Sequence, residues 1–474
     1  MSSGFSAHFF VVMTLQKYNK LSNYNDFLLK ILIFFQKRSK SRKKFREISK
    51  NRGKNSAVFE NYVFLRQIED WLRRIRDFNV VKIESIMESL YELFYAKLHE
   101  TPMGFQRYLF DRINWKNRMI AILGERGVGK TTLLLQKIKN DGTDSTLYFS
   151  ADNIYFAQHS LFDTANEFYR KGGSKLYIDE IHKYPSWSTE LKMIYDNCPH
   201  LQVVVTGSSI LDLYKGRADL SRRVVSYLLK GLSFREYLAM TKSIILPPAS
   251  FEQILEHKVS FPEGEKPLAL FEDYLKMGYY PFWNEPDFAT RLNNVITLTI
   301  ENDIPAYAKM NVSTARKLKQ LLFIIAQSVP FKPNYTAIGA AMECDRGSVS
   351  DMAYYLAKAC LTMQLNHQED GMKNFGKLEK TYLGNTNLLY ALSENKPDIG
   401  NLRETFFLSQ MQVNQKVFAS KVSDFLIDGK TFEVRGKSKG KKQLAEVKEG
   451  FVVKDDIEFG YGNIIPLWHF GMNY

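Results

Sequence analysis

Five apolar residues, Met119-Ile120-Ala121-Ile122-Leu123, run directly into Gly124-Glu125-Arg126-Gly127-Val128-Gly129-Lys130-Thr131, and Thr132-Leu133-Leu134-Leu135-Gln136-Lys137-Ile138 follows. The first run has strand length, the last has helix composition, and the eight residues between them fit GxxxxGK[ST] at every fixed position. This order constrains the fold more than anything else in the chain. A strand must end where glycines let the backbone turn its N–H groups inward, and a helix must begin with its positive dipole end facing the same point. Such a cradle suits a polyphosphate. Lys130 would reach the β- and γ-phosphates, the Thr131 hydroxyl would ligate Mg2+, and the backbone from Gly124 to Thr132 would line the site. A glycine turn ahead of an ordinary core helix is the alternative, and the correct flanks argue against it.

The next elements extend the pattern. Thr146-Leu147-Tyr148-Phe149-Ser150 reads as a second strand, Leu161 to Arg170 as a helix, and Leu176-Tyr177-Ile178-Asp179-Glu180 as a strand ending in two acids. An acid at a strand's C-terminal tip can hold magnesium through water, and the acid after it can polarise an attacking water. Asp179 is therefore assigned to the metal and Glu180 to the water. The strand Leu201-Gln202-Val203-Val204-Val205 ends at Thr206-Gly207-Ser208-Ser209. A polar side chain at that tip can touch the γ-phosphate or the water, which makes Thr206 the first sensor candidate and Ser208 the second; helix capping is the competing role. Strands alternating with helices imply right-handed crossovers and a parallel sheet with its ligand at the strand C-termini.

The order GERGVGKT, LYIDEIHKYPSW, VVVTGSS, Arg217 and then Leu228-Leu229-Lys230-Gly231-Leu232-Ser233-Phe234-Arg235-Glu236-Tyr237-Leu238 resembles a family of bacterial and archaeal AAA-type ATPases with a C-terminal domain of unknown function. The resemblance continues through Phe271 to Pro281, where the family usually has a glycine pair and this chain has Gly278-Tyr279. It implies ATP as ligand and an arginine finger supplied by a neighbouring subunit of a homo-oligomer. Arg217, Arg222 and Arg223 qualify by position; Arg222 and Arg223 are favoured, with plain surface solvation as the alternative. Asn395-Lys396-Pro397-Asp398 spells NKxD, a guanine-reading pattern, but far outside the α/β core and in a turn-rich stretch, so ATP is preferred.

Beyond the core, residues 232–311 read as a helical lid and residues 312–367 as three helices and a strand. The resemblance makes the latter a winged-helix-like segment, with Arg346, Ser348 and Ser350 at the start of a third helix available for DNA phosphates; a packing role is the alternative. The same resemblance makes residues 368–474 a small restriction-endonuclease-like α/β domain. Glu404, Asp424 and Glu433 match that fold's metal site by order, but the lysine position holds Arg435, which does not exchange protons as an ammonium does. Lys437 and the dyad Glu446-Val447-Lys448 are weaker matches. A degenerate domain kept for binding or assembly is expected, with an ATP-gated, metal-dependent DNA nuclease as one alternative and a non-hydrolytic nucleotide-binding scaffold as another.

Charge distinguishes the beginning of the chain. Of the net charge of +14, residues 1–86 hold 18 basic and 7 acidic residues, a net +11, which leaves +3 for residues 87–474. The block from Lys37 to Lys54 reads as a solvated basic extension, with nucleic acid or anionic lipid as conceivable partners. Met87 would make a sensible protein start. Cys198, Cys344 and Cys360 have neither disulfide nor zinc spacing, as expected for reduced thiols in the cytoplasm. The longest apolar stretch, Phe27 to Phe35, is short of the roughly 18 residues that span a bilayer. The expected architecture is a basic extension over 1–86, an AAA-type P-loop NTPase core over 87–231, and then the lid, the winged-helix-like segment and the endonuclease-like domain.

Overall fold

In the computed structural model the described residues are 87–474 apart from 208–219, 221, 309, 329, 369–377, 394–395 and 437–448. The basic extension, Ser208, Ser209, Arg217, Asn395, Lys437 and the Glu446-Val447-Lys448 dyad lie outside them. No described helix is long and apolar enough to cross a membrane.

The first sheet is parallel: β1 (Met119–Gly124), β2 (Thr146–Ser150), β3 (Lys175–Asp179), β4 (Gln202–Gly207) and β5 (Val225–Leu229) stand in the order β2-β3-β4-β1-β5. Every residue of β1 is buried, as a central strand covered on both faces requires. Its side chains still alternate. Met119, Ala121 and Leu123 join one core with Leu161, Phe168, Leu191 and Ile194, while Ile120 and Ile122 join the other with Leu133, Leu134 and Ile138. A helix over residues 87–100, α1, bridges these faces: Met87 and Leu90 enter the first core, Phe94 and Leu98 the second. Phe94 packs against Tyr148 with ring centroids 5.9 Å apart, so α1 shields the edge strand β2. The strand β5 has no strong sequence signal, because its pattern at the other edge is mostly half-exposed.

The helices α2 (Lys130–Asp141), α3 (Leu161–Arg170) and α4 (Trp187–Asn197) connect the strands. After β5 come α5 (Phe234–Lys242), opened by a capping box of Ser233 and Glu236, then α6 (Phe251–Leu255), α7 (Pro267–Met277) and α8 (Phe288–Leu298). A π-helical turn, Thr299–Asp303, continues α8 into Ile304–Ala308. The expected three helices follow as α9 (Val312–Gln327), α10 (Tyr335–Ala341) and α11 (Arg346–Lys358), with β6 (Thr362–Asn366) paired antiparallel to β7 (Leu378–Leu383). The last part contains α12 (Thr386–Leu392), α13 (Ile399–Met411) and a second, mixed sheet of β8 (Phe418–Ala419), β9 (Phe425–Ile427), β10 (Lys430–Arg435), β11 (Gly450–Lys454) and β12 (Ile464–Pro466).

Ile86 to Tyr474 form one compact unit. The core beneath α2 runs without interruption through Phe234, Tyr274, Leu321, Leu356, Phe406 and Phe470. The positions 231, 311 and 367 thus mark changes of architecture inside a shared core.

Candidate nucleotide site

The loop leaving β1 turns through Gly127 (φ 84°) and Gly129 (φ 93°), backbone angles that a side chain strains, before α2 starts at Lys130. Gly129 offers α2 no side-chain cap, so the first-turn N–H groups remain for an anionic ligand. Lys130 is buried, and its ammonium donates to the carbonyls of Gly124 (3.0 Å) and Glu125 (2.7 Å). Burial pulls its pKa down, and the Glu180 and Asp179 carboxylates pull it back up. Val128 is a core residue whose carbonyl accepts from the Arg107 guanidinium. Arg107 also holds Glu236 at 3.0 Å and the Gly231 carbonyl at 2.8 Å, fastening the loop to the start of α5. The Glu125 carboxyl, raised by burial, accepts from the Tyr279 hydroxyl at 2.8 Å. Arg126 pairs with Asp303 at 3.1 Å, and Thr132 lies half-buried in the first turn of α2.

Asp179 sits at the tip of β3 and is buried. It accepts from the hydroxyls of Thr131 (2.7 Å), Tyr148 (3.1 Å) and Thr206. Burial, then the carboxylate of Asp179, pushes the Tyr148 phenol far up, so it stays a donor. Glu180 follows with φ 50°, a left-handed conformation of the kind that costs on the order of 1–3 kcal/mol and clusters at functional sites. Its N–H reaches the Thr206 hydroxyl at 3.1 Å. Thr206, inside β4, thus bonds both acids, the metal candidate and the water candidate. Thr131 and Asp179 together present hard oxygen donors, which fit Mg2+. The neighbouring His182 lies 3.5 Å from Glu180, and burial pushes its pKa down to about 3, so it is neutral near pH 7.

The other candidates fall elsewhere. Arg222 is exposed, and Arg223 pairs with Asp196 of α4 at 3.0 Å while lying over the Tyr195 ring. Asp398 caps α13 by accepting from the Asn401 N–H, as a turn residue does. Ser348 is not available in the expected way: its hydroxyl and N–H both bond Asp345, the acidic N-cap of α11, which disfavours a DNA phosphate there. In the C-terminal part Glu404, Asp424 and Glu433 do not assemble into a cluster able to hold a metal among the described residues. Lys380 of β7 lies 3.6 Å from both Glu404 and Asp424, and Arg435 binds Glu433 at 3.1 Å. The acids match by order, but each is paired with a basic side chain, Glu404 and Asp424 with the same one.

Tyr148, Arg107, Asp303, Tyr279 and Lys380 escape sequence reasoning. Tyr148 alone carries a signal, as a polar tip near the end of a strand adjoining the acid pair. The rest act across more than a hundred residues, or, for Lys380, between two strands and a helix.

Residues 116–238 match the family model described as an AAA domain, and residues 268–399 match one described as a domain of unknown function (DUF8612). A curated relative, the uncharacterized protein MJ1637 of Methanocaldococcus jannaschii, is 29% identical over 276 residues, which cover 53% of this chain and 57% of that protein. Among solved structures, the Walker-type ATPase PABY2304 of Pyrococcus abyssi overlaps 62% of this chain and 99% of its own at 14% identity and a TM-score of 0.38. AMPPCP-bound DnaA of Aquifex aeolicus overlaps 57% and 88% at 14% identity and a TM-score of 0.23. The assignment rests on the family models and on the loop and acid geometry, which agree: the chain carries an AAA-type P-loop ATPase domain joined to a C-terminal domain of unknown function.

Proposed function

We propose that the protein binds ATP with Mg2+ and hydrolyses it to ADP and phosphate, and that the cycle moves its C-terminal half. The observation that carries this reading is the Thr206 hydroxyl joining Asp179 and the Glu180 N–H while Thr131 bonds Asp179. In it, loop N–H groups from Glu125 to Thr132 bind the phosphates, and Lys130 exchanges the Gly124 and Glu125 carbonyls for phosphate oxygens. Glu180 orients the attacking water and accepts its proton, while Thr206 keeps Glu180 in place. Thr131 and Asp179 would hold Mg2+, which would supply charge that offsets the negative phosphates.

Two buried connections support transmission. Glu125 contacts Tyr279, whose N–H donates to the Asn387 side chain at 3.0 Å, and Asn387 leads into α12. Arg107 ties Val128 to Glu236 of α5. We also infer that Arg222 or Arg223 serves a neighbouring copy as a finger, Arg222 being exposed and Arg223 partly so; DNA as a substrate of the movement rests on no residue of this site. The test is Glu180→Gln in the full chain. Phosphate release should fall at least a hundredfold while calorimetry still registers ATP binding. Unchanged turnover removes Glu180 from its role, and a wild type that binds ATP without turnover favours the non-hydrolytic scaffold.

A further inference from the structure

Cations and carboxylates alternate around the phosphate loop. Among the cations are Lys130, Arg126 and Lys183; among the carboxylates are Asp179, Glu180 and Asp303. Arg126 is close enough to Lys130 to depress its ammonium, and Asp303 is close enough to His182 to raise its imidazole, so these groups share one electrostatic environment. Asp179 and Glu180 belong to the sheet and have chemistry assigned. Asp303 is different. It ends the π-helical turn after α8, it is 4% exposed, and it comes from the segment matched by the domain of unknown function. Both of its oxygens lie 3.1 Å from Arg126, and Lys183 lies 3.4 Å away. Lys183 closes the short 3-10 turn whose first carbonyl is that of Glu180, to which its N–H donates at 2.9 Å. One carboxylate of the C-terminal half thus holds both the phosphate loop and the segment carrying the water-orienting acid.

We propose that Asp303 is the group through which the C-terminal half senses nucleotide: it competes with the bound polyphosphate for Arg126 and Lys183, and the π-turn shifts when it loses. This rests on the nucleotide reading above and deepens it. A triphosphate brings roughly four negative charges to a loop that Arg126 belongs to. Those charges attract the two cations and repel the buried carboxylate between them. The element of Asp303 is a π turn, a register that recurs at sites of function. Because coupling between sites is reciprocal, whatever the nucleotide does to Asp303, Asp303 does to nucleotide affinity.

Asp303→Asn removes the competing charge at almost unchanged shape. Calorimetry with Mg2+ and ATP on the full chain should show affinity tightened by roughly tenfold, and Arg126→Gln should abolish most of that gain when combined with it. Asp303→Glu, which restores the charge, should return affinity toward the wild-type value. Tight wild-type binding with unchanged or weakened affinity in Asp303→Asn overturns the proposal alone; no ATP binding by the wild type overturns the nucleotide reading and this one with it. A second measurement needs no variant: amides of residues 299–308 should exchange hydrogen faster when ATP is added to the wild type, and unchanged or slower exchange overturns the proposal even if Asp303→Asn does not fold.

Discussion

Acids gather at both five-stranded sheets of this protein, and their surroundings differ. At the end of β3, Asp179 is surrounded by hydroxyls, from Thr131, Tyr148 and Thr206, with the ammonium of Lys130 directed at loop carbonyls. Hydroxyls orient a carboxylate without cancelling its charge, so it keeps the capacity to attract a cation. Beside the second sheet Glu404 of α13 and Asp424, which precedes β9, share Lys380 of β7, and within it Glu433 takes Arg435. Burial, then Asp424, raises the Glu404 carboxyl, and Lys380 opposes both. The three acids there face two cations from within the chain, Lys380 and Arg435, which weakens their pull on a divalent ion. A shared order of acids in sequence therefore says less about chemistry than the kind of donor that surrounds them.

The comparison breaks most visibly at Lys130. Lys130→Ala should lower the rate of ATP hydrolysis by a factor of at least a hundred, a loss of about 3 kcal/mol of transition-state stabilisation. A phosphate-release assay that shows less than a tenfold loss would mean that the first site does not work through its loop. The second site should respond through stability. Lys380→Met leaves Glu404 and Asp424 facing each other, and since both are only partly shielded a loss of about 2 kcal/mol at pH 8 is expected in urea unfolding. The loss should shrink as pH falls, because the Glu404 carboxyl, already held above the usual carboxylate range, takes up a proton in place of the ammonium. Wild-type protein with Mg2+ or Mn2+ and ATP should leave supercoiled DNA intact; nicking would show that the second sheet binds a metal after all.

The difference also explains what was legible in the sequence. Phosphate binding needs consecutive N–H groups and a lysine at a fixed offset, so Gly124 to Thr131 are contiguous and announce themselves, and Asp179 and Glu180 do so from the strand before them. The residues that hold these groups are set by topology. Arg107 meets Glu236 across 129 positions and Arg126 meets Asp303 across 177, and no local pattern encodes such pairings. Lys380 was invisible because the expected lysine was sought on β10, next to Glu433, whereas the structure supplies an ammonium from β7. The helices α6, α7 and α9 to α11 fall close to their expected positions because their apolar spacing is local. The edge strand β5 does not, because half-exposed edges dilute the pattern that marks a strand.

The smallest expected effect tests whether the two regions are equally dry. His182 stands beside the nucleotide site and His469 in the C-terminal half, and burial pushes each pKa down to about 3. His469 is buried, and its Nδ1 has no hydrogen-bond partner among the described residues. An unfolded histidine titrates near 6.5. Between about pH 6.5 and 3 the unfolded chain therefore binds protons that the folded chain refuses, so stability is full above pH 6.5 and falls as pH drops. From pH 7 to pH 5.5 each histidine should account for about 1 kcal/mol of that fall. His469→Gln should flatten the urea-unfolding profile by that amount over the same interval, leaving the share due to His182. If the profile keeps its slope, the C-terminal half admits enough water to charge His469, and the dry, internally paired character assigned to that half is wrong.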